Sequence, residues 1–182
     1  MRVTLKEPTL EEYWYEQKLL ADPLTMEYNA GWDVSYEGYN YDTGCIEFPK
    51  EKWEKAFNRR KESNRYFAYV VNKENNEFIG KVNFQYNEND KIYYCGVIIE
   101  HQYRGQGYAK EALQLLCEKA FNEYNVPALY DNFEESRISA LKTFEKLGFK
   151  RNSITKGKRF NKGVSIIEIR LEKESFNNYR NN

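Results

Sequence analysis

The most constraining feature of the sequence is a buried strand that runs directly into a glycine turn and then into a helix. Residues 92–99 read Ile-Tyr-Tyr-Cys-Gly-Val-Ile-Ile, a nearly continuous apolar run that is typical of a central strand. Residues 104–107 read Arg-Gly-Gln-Gly, and an apolar stripe at helical spacing follows as far as residue 124. This order predicts backbone N–H groups gathered around a helix N-terminus, which is a site for an anion such as pyrophosphate.

The rest of the chain predicts a single mixed α/β domain. Two helices, joined by a long aromatic loop over residues 29–48, precede three strands that form an antiparallel meander from residue 66. The predicted order is β-α-α-β-β-β-α-β-α-β-β, with helices flanking a mixed, mostly antiparallel twisted sheet. We expect the domain to cover residues 1–176 and the tail over residues 177–182 to be frayed.

Composition excludes several classes of protein. The 182 residues carry 28 basic and 28 acidic side chains, and a net charge of zero argues against a nucleic-acid partner. No apolar run reaches the length of a membrane span, and the first residues lack the apolar stretch of a secretory signal. Three cysteines form no disulfide framework, and no Cys/His cluster has metal-ligand spacing. We therefore expect a cytoplasmic protein without a membrane partner or a metal.

Three kinds of nucleotide ligand are considered for the glycine turn: a nucleoside triphosphate, a dinucleotide and coenzyme A. A Walker A loop requires G-x-x-x-x-G-K-[ST], and this spacing is absent. A dinucleotide fingerprint requires a third glycine where the chain has Lys110, and βαβ alternation from the start. The third ligand is coenzyme A.

Two sequence blocks carry a family resemblance. Residues 102–109, Gln-Tyr-Arg-Gly-Gln-Gly-Tyr-Ala, match the pattern Q/R-x-x-G-x-G/A. Residues 139–149 are similar to a second block, a helix that ends in E-K-x-G-F. In this order and at this separation, the blocks resemble the GNAT family of N-acetyltransferases. The strand and helix order agrees with that family over residues 66–171.

The resemblance implies acetyl-CoA as co-substrate, with its pyrophosphate on the glycine turn and its pantetheine arm along the preceding strand. The cofactor contacts that it implies are Val97, Ile98, Ile99, Arg104, Gly105, Gln106, Gly107, Tyr108, Ala109, Asn132 and Phe144. Two positions depart from the family. Phe144 stands where many members have a tyrosine that protonates the leaving thiolate, and Arg137 stands where an asparagine is common. Tyr130, Tyr103 or solvent is left to supply that proton.

Catalysis by direct attack requires an acceptor amine that has lost its proton. Glu100, at the end of the pantetheine strand, is the predicted general base, and an exposed structural carboxylate is the equal alternative. Asp33 and Glu37 are further candidates. His101 occupies a position where the family usually has proline, so we expect it to be structural.

The acceptor-side prediction rests on the aromatic loop. Residues 11–47 hold nine acidic residues and one basic residue, which suggests a cationic ligand. Ring faces and carboxylates of Trp32, Asp33, Tyr36 and Glu37 are predicted to bind it, and packing of the rings on the two helices is the alternative.

The sequence thus predicts an enzyme that transfers an acetyl group to a primary amine, preferably a small cationic one. Residues 1–65 would form the acceptor side and residues 66–172 the cofactor-binding core. An enzyme for protein N-termini or lysines is one alternative, and a non-catalytic CoA-binding or interaction module is another. A homodimer is compatible with the sequence.

Overall fold

The computed structural model describes the backbone of residues 1–180 and the side chains of residues 1–178. Its strands are β1 (Val3–Lys6), β2 (Arg65–Asn72), β3 (Phe78–Asn87), β4 (Ile92–Ile99), β5 (Ala128–Glu134), β6 (Lys150–Arg159) and β7 (Lys162–Glu172). Its α-helices are α1 (Trp14–Ala21), α2 (Pro23–Met26), α3 (Trp53–Arg59), α4 (Tyr108–Asn122), α5 (Ile138–Glu145) and α6 (Lys173–Arg180). Short 3-10 turns cover Leu10–Tyr13, Glu27–Asn29, Lys50–Lys52 and His101–Tyr103.

The seven strands form one sheet in the order β1-β2-β3-β4-β5-β7-β6. All neighbouring pairs are antiparallel except β4 and β5, which run parallel. The parallel pair needs a crossover, and α4 supplies it between the two strands. The predicted fold class, a mixed and mostly antiparallel sheet flanked by helices, is confirmed.

Helices cover the sheet on both faces. The larger core lies under α4, α5 and α6, where α4 buries an apolar stripe at helical spacing: Ala112, Leu113, Leu116, Cys117, Ala120 and Phe121. The smaller core lies under α1, where Tyr15 and Leu19 pack on Phe67 and Tyr69 of β2. Because side chains alternate along a strand, β4 contributes Cys95 and Ile99 to the first core and Ile98 to the second.

The C-terminal segment contains a helix that the predicted element order lacks, and the frayed tail at its end stays a prediction. Residues 173–180 form α6, and only residues 181 and 182 lie outside the described part of the chain. Phe176 is fully buried, and its ring centroid lies 5.4 Å from that of Phe121 on α4. Burial of a phenylalanine contributes about 1.5–3 kcal/mol. This contact explains the helix, because it docks a polar segment whose composition alone indicates disorder.

A buried ion cluster joins α1 to the sheet and to the end of α3. The Glu16 carboxylate is 1% exposed and accepts hydrogen bonds from the Arg60 guanidinium at 2.8 Å and from Lys81 Nζ at 2.7 Å. Burial alone would raise the pKa of Glu16, but Lys81 and Arg60 together hold it at about 2. The cluster therefore fixes the position of α1 only while Glu16 is ionised.

We expect Glu16→Gln to lower the free energy of unfolding at pH 7 by about 3 kcal/mol, because it leaves two partly buried cations without a charged partner. The folded-state pKa is depressed, so this stabilisation is complete above about pH 4.5 and is lost as the pH falls toward 2. Urea unfolding at several pH values measures it. The difference between Glu16→Gln and wild type should shrink below pH 4, whereas the exposed control Glu51→Gln should differ little at any pH. A difference that stays constant down to pH 2 would contradict the role of the ion cluster.

Candidate active site

The sheet opens between β4 and β5. These strands pair only at Tyr93 with Leu129 and at Tyr94 with Tyr130, although each continues for several residues. We call the pair of Tyr94 and Tyr130 the apex, and the space that widens beyond it the cleft. The cleft is flanked by the C-terminal halves of two parallel strands, a position where the sheet leaves backbone groups unpaired.

The edge of β4 that faces the cleft carries free backbone groups. The Glu100 N–H donates to the Ile79 carbonyl of β3 at 2.9 Å. Since successive residues of a strand direct their amide groups to opposite sides, the N–H groups of Val97 and Ile99 point away from β3 and into the cleft. An extended ligand can therefore add to β4 as another strand would.

The glycine turn closes the C-terminal end of this strand. Gly105 and Gly107 have φ values of +76° and +86°, which other residues rarely adopt. Within residues 1–180, the N–H groups of residues 105–109 donate to no protein acceptor. Together with the N-terminus of α4, they form the anion site that the sequence predicts.

Two arginines support the turn through hydrogen bonds to backbone carbonyls. The guanidinium of Arg104, one of the predicted cofactor contacts, donates to the carbonyls of Ile99 at 3.1 Å and Thr25 at 2.5 Å. Arg2 donates to the Gln106 carbonyl at 2.7 Å and pairs with Glu111 of α4 at 2.6 Å. The sequence gives no indication of Arg2, because more than 100 residues separate it from the turn that it contacts.

Residues 24–30, which we call the bridging segment, cross the open end of the cleft. At one end Arg104 holds the carbonyls of Leu24 and Thr25. At the other end Arg159 donates to the carbonyls of Glu27 and Ala30, and it pairs with Glu134 at the end of β5 at 2.9 Å. The segment thus connects the end of β4 with the end of β5 and encloses the cleft.

Glu100 lies at the turn end of β4 and is 5% exposed. Its carboxylate accepts hydrogen bonds from Lys18 Nζ at 3.2 Å and from the Gln102 amide at 3.2 Å. About 20 Å of extended strand separates it from Tyr94 at the apex. The general-base role of Glu100 stays a prediction, and this separation does not favour direct contact between Glu100 and an acceptor at the apex.

The residues predicted around the thioester lie on two faces of the sheet. Tyr130 is at the apex on the α1 face, with the Arg170 guanidinium 5.6 Å above its ring, and Asn132 follows it on the same face. Phe144 is 3% exposed and stacks on Phe133 in the core under α5. Tyr103 lies away from the apex, where its hydroxyl donates to Glu77 at 3.0 Å.

The side chains of the aromatic loop mainly contact other residues of this chain. The Trp32 indole donates to the Tyr28 carbonyl at 3.2 Å, and the Trp32 backbone pairs with Arg159. The Tyr36 hydroxyl accepts a hydrogen bond from Asn29 at 3.0 Å. Asp33 is exposed, and the exposed Glu37 pairs with Lys52 at 3.2 Å. The structure does not gather these four predicted acceptor residues around one space.

A cavity of about 400 Å³, which we call the α3 cavity, lies on the α1 face between α3 and strands β2 and β3. Asn83 and Gln85 line it, and they pair with Gly96 and with Tyr94 at the apex. The cavity therefore begins about 5 Å, one strand spacing, from the end of the cleft. Six cationic side chains line it: Lys52, Lys55, Arg59, Arg60, Arg65 and Lys81.

Other reactive side chains are engaged elsewhere. His101 Nδ1 lies 3.0 Å from the Asp22 carboxylate, in agreement with its expected structural role. Burial raises the pKa of the Cys95 and Cys117 thiols, so neither is a ready nucleophile at neutral pH.

In the described part of the chain, no group of three or more His, Cys, Asp or Glu side chains is arranged to hold a metal ion. None of the helices in residues 1–180 has the length and apolar character of a membrane span.

The family follows from comparison with known proteins. A family model described as an acetyltransferase (GNAT) domain matches residues 2–150. The chain belongs to this family. It is therefore an acetyl-CoA-dependent N-acetyltransferase, as the two sequence blocks predict.

Relatives agree with the assignment. An uncharacterised N-acetyltransferase of Bacillus subtilis, YnaD, is 27% identical over 131 residues, which cover 69% of this chain and 76% of that protein. Two solved structures share the fold. A GNAT acetyltransferase of Bacillus anthracis matches with a TM-score of 0.71 at 16% identity over 96% of each chain. The spermidine N-acetyltransferase of Vibrio cholerae, solved with CoA and spermine, matches with a TM-score of 0.74 at 15% identity over 96% of this chain and 98% of that one.

The residues of the cleft suit acetyl-CoA, which supplies the acetyl group as a thioester. The unpaired N–H groups of residues 105–109 suit the pyrophosphate, and those of Val97 and Ile99 suit the amide groups of the pantetheine arm. An arm that runs from the turn along β4 directs its thioester toward the apex.

We expect Gly105→Trp to weaken acetyl-CoA binding at least a hundredfold in a calorimetric titration. A side chain added at Gly105 enters open space beside the turn, where its ring would cover the N–H groups. The matched control is Gly163→Trp at the start of β7, where an added Cβ also meets no atom within 4 Å. Thermal melts should show both variants folded. Unchanged affinity in Gly105→Trp, or equal loss in both variants, would contradict the placement of the pyrophosphate.

Proposed function

We propose that the enzyme acetylates the primary amine of a small molecule that reaches the apex from the α1 face. The bridging segment is the observation that carries this proposal, because it closes the open end of the cleft between Arg104 and Arg159. A polypeptide acceptor needs an open groove, and a closed rim suits a small acceptor. Cytoplasmic location stays a prediction of the sequence.

A small cationic amine is the first candidate acceptor. Solved structures with this fold include spermidine N-acetyltransferases, one of them in complex with CoA and spermine. Asp33 and Glu37 provide exposed carboxylates in the loop beside the α3 cavity, and Glu37 lines that cavity. In this candidate, Glu37 would exchange its contact with Lys52 for one with the acceptor.

An amine that also bears an anionic group is the second candidate. The α3 cavity has six cationic side chains and one lining carboxylate, Glu37. Glu16 neutralises part of the charge of Arg60 and Lys81, and Glu62 pairs with Arg65. The remaining positive charge on the α3 side would attract a carboxylate or a phosphate and repel a polyamine.

An acceptor panel tests the proposal. We expect at least one small amine to be acetylated with a kcat/KM at least a hundredfold above that of peptides with free N-termini or lysines. The panel contains spermidine, a free amino acid, an amino sugar phosphate and two unstructured peptides, and release of the CoA thiol is measured. Preference for a peptide would overturn the small-molecule proposal.

Two charge variants distinguish the candidates. Arg59→Gln should raise the KM of an anionic acceptor and lower that of a polyamine, because Arg59, the last residue of α3, lines the α3 cavity. Glu37→Gln should raise the KM of a polyamine and lower that of an anionic acceptor. Equal effects on both acceptors would mean that the cavity does not bind the acceptor.

A further inference from the structure

Asp131 is the first residue of β5 beyond the apex. Its partner on β7 is Ile169, which is fully buried in the core under α4 and α5. Leu129 and Phe133, two residues before and after it, are buried in the same core. Because strand side chains alternate, the Asp131 carboxyl lies on this face, where the two strands begin to separate.

The same face carries the ring that replaces a catalytic hydroxyl of the family. Phe144 of α5 stacks on Phe133 with a centroid distance of 5.7 Å. Phe133 follows Asp131 on the same face of β5, about 7 Å along the strand. The chain thus lacks a hydroxyl at position 144 and has a carboxyl nearby, at the end of the cleft toward which the pantetheine arm runs.

We propose that Asp131 is the general acid that protonates the leaving thiolate of coenzyme A, in the role of the tyrosine that position 144 lacks. The inference rests on acetyl transfer from acetyl-CoA and not on the identity of the acceptor. Tyr130, the earlier candidate for this proton, is on the opposite face of β5.

The Asp131 side chain is partly buried, and the groups around it set its proton affinity. Desolvation raises the pKa of Asp131 to about 7, although a hydrogen bond from the Asn132 N–H and the charge of Arg137 at the start of α5 both lower it. Tyr28 of the bridging segment and Cys95 of β4 also interact with Asp131, and burial raises the pKa of each further above neutrality, so both stay uncharged at pH 7. Near pH 7 a substantial fraction of the carboxyl therefore carries a proton.

The proton balance of the step is complete. The acceptor nitrogen forms a bond to the acetyl carbon, and the carbon–sulfur bond breaks with its electron pair on sulfur. The sulfur takes the Asp131 proton, and one of the two protons that the acceptor ammonium loses restores the carboxyl. The other proton leaves to solvent. A thiol has a pKa of about 8.5, so transfer from a carboxyl with a pKa of about 7 is favourable by roughly 30-fold.

Asp131→Asn removes the acidic proton of the carboxyl group and keeps the shape of the side chain. We expect its kcat to be at least tenfold below wild type at pH 6 and to approach wild type at pH 9, where wild-type Asp131 is ionised. Asp131→Glu should retain part of the rate and its pH dependence. The control Asp42→Asn removes an exposed carboxylate in the aromatic loop and should leave the profile unchanged.

A titration without acceptor or cofactor gives an independent readout. In protein labelled with 13C at aspartate carboxyls, one resonance should titrate near pH 7 and be missing from Asp131→Asn. If no small amine is turned over, the acceptor proposal fails while this titration still stands. A rate ratio between wild type and Asp131→Asn that is constant from pH 6 to pH 9, or no carboxyl titrating above pH 6, would overturn the inference.

Discussion

The separation of β4 from β5 is the constraint on which the rest of the molecule depends. Two parallel strands that pair only up to Tyr94 and Tyr130 leave strand edges without partners inside a sheet. Unpaired backbone groups are costly unless a ligand or water satisfies them. The free N–H groups of Val97 and Ile99 are thus a local cost to the fold, and they are the surface that we propose for acetyl-CoA.

Long-range arginines stabilise this open arrangement. Arg104 and Arg159 reach carbonyls of the bridging segment from opposite sides of the cleft, and Arg2 ties the N-terminus to the glycine turn. A guanidinium suits this role because its planar fork donates to several carbonyl oxygens at once. Because these guanidinium groups are engaged by carbonyls, the backbone N–H groups of the glycine turn are left available for an anion.

The sequence allowed the prediction of what local patterns determine. The strand at residues 92–99 and the α4 stripe carry their own periodicity, so most of the element order could be predicted from the sequence. The glycine turn has its own spacing, which allowed a cofactor site to be predicted. Contacts between residues that are far apart in the sequence could not be predicted. Pairing of Arg159 with Glu134 and the position of Asp131 next to the apex depend on sheet register, and docking of Phe176 on Phe121 depends on helix packing; periodicity encodes neither. The acceptor residues stay a prediction, because the acidic loop lies beside a cavity lined by cations.

Amide hydrogen exchange followed by NMR tests the central claim most directly. Val97 and Ile99 direct their N–H groups into the cleft, whereas Ile98 directs its N–H group to β3. The account predicts that acetyl-CoA slows exchange at Val97, at Ile99 and at residues 105–109, and leaves Ile98 unchanged. Protection that appears on a different strand, or none at Val97 and Ile99 at saturating acetyl-CoA, would contradict it.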